Sequence, residues 1–351
     1  MRTSKTKCFP LLFLLCGSLF ACRPQQTGIT QIDDAGIATP QPANERLVEG
    51  TLENLYPNHF TYPDSVSLNP TAASRSPHGI AVIDFPDRIA VLDTNGIFQH
   101  HMGAEPGQGP GELKKLNAIR WMPDGAILVA DAGNQKIVRF QKEGTFEAEF
   151  ALPTMFGAAA FLREDVVVTH YPGNAEGIFQ SFTPAPGRVQ EGRAFGWLLT
   201  NAPSPMLGLA MVGYIAEVSG DTSFVFVPLY AGKIARYGAQ GHQMYYTNTI
   251  DDAPYPDIQT MNEEGVFGLR EKHGLAHMIV SANPATLYIY RHSSTVLEEA
   301  PFYIDVYRTS DGHYLRSILH NNPACAPLDM DEHEVWLQCK GQLVRRWKED
   351  A

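Results

Sequence analysis

Four polar side chains close short apolar segments at comparable places along the chain. They are Asp84 in "IAVIDF", Asp131 in "AILVAD", His170 in "DVVVTH" and Arg291 in "LYIYRH". Carboxylates and an imidazole that converge could bind a divalent cation or transfer protons, and an arginine could bind an anion. Each also has a structural alternative. Asp131 precedes "AGN", which is typical of an aspartate whose side chain caps a turn, and Arg291 is typical of an ion-paired strand end.

A fifth candidate, Glu112, lies in "GQGPGEL", Gly107 to Leu113. Three glycines and a proline disfavour the interior of a helix or strand, so the segment must be a turn or connector. Glu112 could accept hydrogen bonds from this connector or point into a site.

The rest of the sequence lacks the common motifs of catalytic and metal-binding sites. There is no H-E-x-x-H, G-x-S-x-G, Walker or CxxC motif, and the adjacent His100 and His101 would face opposite sides of a strand. We therefore expect no catalytic residue, no metal and no cofactor. Acidic residues number 38 and basic residues 27, so the chain has no basic surplus to bind a nucleic acid.

The elements that would position these residues recur along the chain. In "RIAVLDTNGIF", "KIVRFQKEGTF" and "KIARYGAQGHQ" a glycine follows seven places after an isoleucine. Three weaker copies bring the number to six. A second strand precedes each copy, and most of these second strands are apolar on both faces. Such strands are typical of positions buried on both sides.

Six units of about four strands predict an all-β fold, a six-bladed β-propeller. The last unit ends at "RRWKEDA" without a fourth strand, so we expect Arg46 to Leu52 to supply it and close the ring. "GQGPGEL" then becomes a crossover between blades one and two. Connectors between second and third strands should share one face with the crossovers, so Asp84, Asp131, His170 and Arg291 could ring the mouth of the channel.

The same face should carry two long insertions, Arg188 to Gly208 and Asp251 to Gly274. Long loops on a rigid scaffold are common sites of function.

The segment "GQGPGEL…WMPDGAILVADAGNQKIVRF" resembles the six-bladed propeller lipoproteins of Gram-negative envelopes, which are related to NHL-repeat and TolB-like propellers. The resemblance is sharpest over Arg88 to Phe150. It implies the fold and says little about activity.

The first 21 residues combine a basic start with an apolar run that is too short to span a membrane as a mature helix. They end in "LFAC", which resembles the lipobox of bacterial lipoproteins, so Cys22 would carry the lipid anchor. The alternative is an ordinary secretory signal cleaved nearby. Residues 22–45 are polar and aperiodic and are predicted to be a disordered tether, with the propeller over 46–351. We expect the protein in the cell envelope, anchored to the outer membrane, with its body in the periplasm or at the cell surface.

Cys325 and Cys339 are the cysteines that remain beyond Cys22. In an oxidising compartment this pair could form a disulfide, and two buried free thiols are the alternative.

The sequence favours a membrane-anchored, non-catalytic propeller that binds a protein, peptide or glycan partner through its loop-rich face. Two alternatives stay open. Some propellers of this shape are metal-dependent hydrolases or lyases, such as lactonases, and TolB-like propellers are structural subunits of envelope complexes.

Overall fold

The computed structural model describes residues 45–61, 70–84, 87–103, 106–163, 166–174, 176–185, 188–196, 210–256, 258–260, 267–269, 275–293 and 301–348. The signal, Cys22 and almost all of the tether lie outside these residues. The described chain begins with β1 (Val48–Thr51), the short helix α1 (Leu52–Leu55) and β2 (Asn58–Thr61). No helix among the described residues is long and apolar enough to cross a membrane.

The first three blades are four-stranded antiparallel sheets, ordered along the chain. Blade one contains β3 (Pro70–Ser76), β4 (Gly79–Asp84), β5 (Arg88–Leu92) and β6 (Phe98–Met102). Blade two contains β7 (Leu116–Trp121), β8 (Ile127–Asp131), β9 (Lys136–Phe140) and β10 (Phe146–Ala151). Blade three contains β11 (Ala158–Arg163), β12 (Val166–His170), β13 (Phe179–Ala185) and β14 (Arg188–Phe195).

The last three blades follow the same order, with additions at the edges. Blade four contains β15 (Gly213–Glu217), β16 (Ser223–Pro228), β17 (Lys233–Gly238) and β18 (Gln243–Asn248). A separate hairpin follows, β19 (Ile258–Thr260) and β20 (Phe267–Leu269). Blade five contains β21 (Leu275–Ala282), β22 (Thr286–Ser293), β23 (Phe302–Arg308) and β24 (Tyr314–His320). Blade six contains β25 (Cys325–Met330), β26 (Glu334–Cys339) and β27 (Gln342–Trp347).

The hydrophobic core lies between blades, in one cluster at each of the six blade interfaces. The second strands β4, β8 and β16 are buried at every residue, because the two neighbouring blades cover the two faces of each blade. Outer strands such as β10 are largely exposed. The predicted all-β, six-bladed propeller is confirmed.

An N-terminal strand closes the last blade, as predicted, but the segment assigned to it was wrong. β2 pairs antiparallel with β27, Asn58 opposite Trp347, and completes blade six. β1, inside the predicted Arg46–Leu52 segment, instead pairs in parallel with β24 as a fifth strand of blade five. The helix α1 separates the two strands. It buries Leu52, and Tyr56 directly after it is also buried, in the cluster between blades five and six, so the chain passes from blade five to blade six at this point.

Two further strands differ from the sequence interpretation. Arg188–Phe195 is not part of an insertion, because it pairs with β13 as the fourth strand of blade three; residues 197–209 lie outside the described part of the chain. β3 was not predicted, since "PTAASRS" lacks the apolar residues of a typical strand. As the innermost strand of blade one it borders the channel and buries little side-chain surface.

Cys325 and Cys339 form a disulfide, with their Cα atoms 4.1 Å apart. They lie directly opposite each other on β25 and β26. This is the arrangement in which neighbouring antiparallel strands can be bridged.

Candidate functional site

The two faces of the ring differ in the length of their connections. The ends of the described strands that are joined by loops between second and third strands, and by crossovers between blades, lie on one face. The three longest crossovers there join Met102 to Leu116, Phe195 to Gly213 and Asn248 to Leu275. We call this face the loop-rich face. On the opposite face the turns within blades are no longer than those at 122–126 and 309–313. The hairpin β19–β20 belongs to the longest crossover.

Asp131 is a turn-capping residue on the loop-rich face. Its fully buried carboxylate accepts hydrogen bonds from the backbone N–H groups of Lys114 (3.1 Å), Lys115 (3.0 Å), Gly133 (3.0 Å) and Asn134 (3.2 Å). The side-chain amide of Asn134 adds a further bond at 2.8 Å. These donors join the "DAGN" turn to the end of the crossover.

Glu112 also holds the crossover together. Its Oε2 accepts a hydrogen bond from the Gly109 N–H at 2.7 Å. Asn134 and Lys136 donate from blade two to the carbonyl groups of Gly107 (2.7 Å) and Gly109 (2.9 Å). A Cβ on Gly107 would stand 2.0 Å from Glu112 Oε2, so glycine is required there for the close approach of the carboxylate.

His170 lies in the aromatic core between blades three and four. Only 2% of it is exposed, its ring contacts Phe179 and Phe226, and its Nε2 donates to the Met211 carbonyl at 3.0 Å. Burial lowers the pKa of this imidazole to about 4. The side chain therefore stays neutral at neutral pH and donates a structural hydrogen bond.

Asp84 and Arg291 are both ion-paired. Asp84 lies 2.7 Å from Arg88 and 3.7 Å from His101, while Arg291 Nε lies 3.1 Å from Asp251 Oδ2. Burial acts to raise the pKa of Asp251, but the hydrogen bonds from His277 and Arg46 and the charges of Arg46 and Arg291 hold it well below its usual range.

The structure thus places the predicted residues around one face of the ring without bringing them together. Asp84, Asp131 and His170 end β4, β8 and β12, and Arg291 lies near the end of β22. None of them lines the central cavity. Within the described residues no group of three or more His, Cys, Asp or Glu side chains could hold a metal ion.

The central channel contains a cavity of about 550 Å³, which sequence reasoning did not identify. Its wall is formed by the innermost strand of every blade: β3, β7, β11, β15, β21 and β25. Six alanines are among the lining residues, namely Ala72, Ala73, Ala118, Ala159, Ala160 and Ala216. The alanine-rich stretches "TAAS" and "AAAF" were the available signal.

Charged side chains gather at the end of the cavity near the short-turn face. Arg120 reaches from blade two across blade three to Glu217 of blade four, with Nη1 2.6 Å from Oε2, and also donates to the Phe161 carbonyl. Burial in the channel raises the pKa of Glu217 to about 7, although the positive charge of Arg120 opposes the shift.

A second ion-pair group joins blades one and six at the same end. Arg75 binds Asp329 and lies 2.8 Å from Asp331 and 2.5 Å from Glu334. Burial raises the pKa of Asp329 despite the neighbouring Arg75. Arg75, Arg120, Glu217 and Asp329 all lie at or near the end of an inner strand. This common position in the repeat was the signal that could have revealed them.

Comparison with known proteins supports the fold. No protein-family model matches the chain, and no curated protein matches it either. A solved structure from Bacteroides fragilis NCTC 9343, of a protein named for its proposed export, is 11% identical with a TM-score of 0.58, covering 87% of this chain and 98% of its own. A member of the DUF4221 family from Bacteroides vulgatus ATCC 8482 is 11% identical with a TM-score of 0.56, covering 88% and 98%.

Virginiamycin B lyase from Staphylococcus aureus is 13% identical, covers 83% of this chain and 99% of its own, and has a TM-score of 0.47. We base no argument on this weaker similarity. At these identities the first two structures support the propeller architecture alone.

Proposed function

We propose that this protein is a lipid-anchored, non-catalytic binding propeller of the cell envelope. It recognises a protein, peptide or glycan partner with its loop-rich face. The observation that carries this proposal is the asymmetry of the ring: the strand ends joined by the longest crossovers are on one face, and those joined by short turns within blades are on the other. Binding residues are commonly found on loops that a rigid scaffold positions.

The local contacts support binding over catalysis. The carboxylates of Asp131 and Glu112 accept hydrogen bonds from backbone N–H groups of the crossover. His170 donates a hydrogen bond to the Met211 carbonyl. A general acid or base has to reach the proton that it transfers. These side chains instead hold connections of the loop-rich face in place, and a preorganised surface binds a partner at a lower entropic cost.

Deletion of the hairpin tests the binding face. In one variant a four-residue glycine–serine linker replaces residues 257–274. In the control the same linker is inserted after Lys142, in a short turn on the opposite face. Each protein is used to capture partners from solubilised envelopes, with quantitative mass spectrometry as the readout, and is applied to a glycan array.

We expect the control to retain the wild-type partners and the hairpin variant to lose them at an unchanged melting temperature. Identical binding by all three proteins would contradict the proposal.

The anchor is tested separately. Cys22→Ala should leave an unprocessed precursor without lipid, because the lipobox cysteine is both the acceptor of the lipid and the residue at the cleavage site. Metabolic labelling with a fatty acid, together with the mass of the mature protein, measures both effects. A processed and labelled Cys22→Ala variant would show that this cysteine is not the anchor.

A further inference from the structure

We propose that the axial channel is a second binding site, separate from the loop-rich face. It takes a short free peptide whose terminal carboxylate lies on Arg120 and whose terminal ammonium lies beside Asp329. The two ends of the ligand are matched by the unpartnered edge of a guanidinium group on one wall of the cavity and by an excess of carboxyl groups on the other.

The guanidinium group of Arg120 is the part of the cavity wall that would bind the carboxylate of the ligand. Its Nη1 is engaged by Glu217 and by the Phe161 carbonyl. Its Nε and Nη2 have no partner among the residues that the structure describes, and 19% of the side chain remains exposed where it lines the cavity. The Nε–Nη2 edge of a guanidinium matches a carboxylate through two parallel hydrogen bonds.

The wall formed by blades six and one carries a negative excess. Asp329, Asp331 and Glu334 surround Arg75, and Glu334 also lies 2.5 Å from Arg345. Three carboxyl groups share two guanidinium groups, which is a formal excess of one negative charge. A ligand ammonium would supply the missing cation beside Asp329, which lines the cavity.

The arrangement of blades places these walls across the channel from each other. Arg120 crosses over blade three, and blade three is opposite blade six in a ring of six. A ligand that complements both walls therefore needs a negative and a positive end. A cavity of about 550 Å³ is within the range of roughly 300 to 1,000 Å³ that is typical of small-ligand sites.

The wall between the two charged regions favours a peptide backbone. Each inner strand is the terminal strand of its sheet, so one edge of its backbone is left without a strand partner. Extended peptides bind such edges through main-chain hydrogen bonds. The lining along these strands includes Ala73, Ala118 and Ala160, whose side chains are small.

The test measures the discrimination between free and capped peptides. The full-length protein in detergent is titrated calorimetrically with trialanine, N-acetyl-trialanine and trialanine amide. We expect trialanine to bind and each cap to weaken binding at least tenfold. Arg120→Gln should bind trialanine and its amide equally, Arg120→Lys should retain only part of the preference, and Asp329→Asn should lose the preference over the N-acetyl form.

Two controls separate this site from other effects. Arg139→Gln changes an arginine of the same blade that is bound to Asp124 and Glu147 outside the cavity, and should keep the wild-type ratios. The variant without the hairpin should also bind trialanine as the wild type does, whatever the fate of its partners. If Asp329→Asn does not fold, the ratios for Arg120→Gln decide.

Three results would overturn the proposal. They are equal affinity of the wild type for all three peptides, no binding of trialanine at millimolar concentration, and an equal loss of discrimination in Arg139→Gln.

Discussion

His170 and Glu217 are titratable groups that folding removes from water, with opposite consequences for stability. The buried imidazole resists protonation, and burial raises the pKa of the carboxyl group to about 7. The pH windows of these two effects overlap between the ordinary pKa values of the two side chains. In the wild-type protein they largely cancel, so single variants are needed to reveal either one.

His170→Gln should make the protein more tolerant of acid than the wild type. The imidazole has an ordinary pKa of 6.5 and a folded pKa of about 4, so the unfolded chain binds a proton that the folded protein refuses. Stability from this group is present above pH 6.5 and is lost as pH falls to 4, by up to about 3 kcal/mol. Glutamine can still donate to the Met211 carbonyl.

The free energy of unfolding in urea, measured from pH 7 to 4, checks this prediction. His333→Gln is the control, because His333 is exposed and its removal should leave the wild-type profile. If the free energies of unfolding of His170→Gln and the wild type differ by the same amount at every pH, the prediction is wrong.

Glu217→Gln should have the opposite effect. The folded protein keeps the carboxyl proton between pH 4.5 and about 7, whereas the unfolded chain releases it. The wild type therefore loses stability as pH rises through this window, and the variant does not. Relative to the variant, the wild type should lose about 2 kcal/mol between pH 5 and 8.

Urea unfolding at pH 5, 6, 7 and 8 measures the difference, with the exposed turn residue Glu143 changed to Gln as the control. Parallel profiles for wild type and Glu217→Gln would show that Glu217 titrates as an ordinary carboxyl group.

At the scale of elements, two connections between strands are held by specific side-chain contacts. The "GQGPGEL" crossover is shaped by Glu112 from within and by Asn134 and Lys136 from blade two. The β25–β26 hairpin is joined covalently by Cys325–Cys339. The hydrogen bonds fix the path of the crossover, and the disulfide joins the two strands of the hairpin.

Replacing both Cys325 and Cys339 by alanine should lower the free energy of unfolding by about 3 kcal/mol, since the bridge closes a short loop in the unfolded chain. Urea unfolding with and without reductant measures it. The wild type should shift to the level of the variant when reduced, while the variant should not respond. A wild type with two reactive thiols before reduction would contradict the bridge.

At the scale of the whole molecule, the N-terminal segment holds the ring closed in two places. Arg46 Nη2 lies 2.8 Å from both Asp251 and the fully buried Asp305, which secures the segment to blade five. β2 then supplies the outer strand of blade six. Removal of Arg46 would leave Asp305 as an uncompensated buried charge.

Three truncations should therefore behave differently. Removing residues 1–44 should leave the melting temperature unchanged. Removing residues 1–57 deletes Arg46, β1 and α1, so the melting temperature should fall sharply while the protein stays monomeric. Removing residues 1–61 also exposes the edge of β27, and aggregation should follow.

Differential scanning fluorimetry and light scattering on a sizing column measure the two properties. Equal melting temperatures for all three proteins, or a stable monomer after removal of residues 1–61, would argue against this account of ring closure.

The sequence alone determined the repeat and therefore the fold. The second strand of a blade is covered on both faces by the neighbouring blades, so it is mostly apolar, and most of the six units in the chain contain such a strand. The turn-capping alternative for Asp131 and the pairing of Cys325 with Cys339 were also readable, because both depend on residues close in sequence.

Only the tertiary structure decided the ring closure and the composition of the channel. Which of two neighbouring segments completes blade six depends on the burial of Leu52 and Tyr56 and on the ion pairs of Arg46, whose partners are far along the chain. Likewise, Arg120 and Glu217 meet across blade three. Their separation in sequence carries no information about that contact, because it exists only once the blades are arranged in a closed ring.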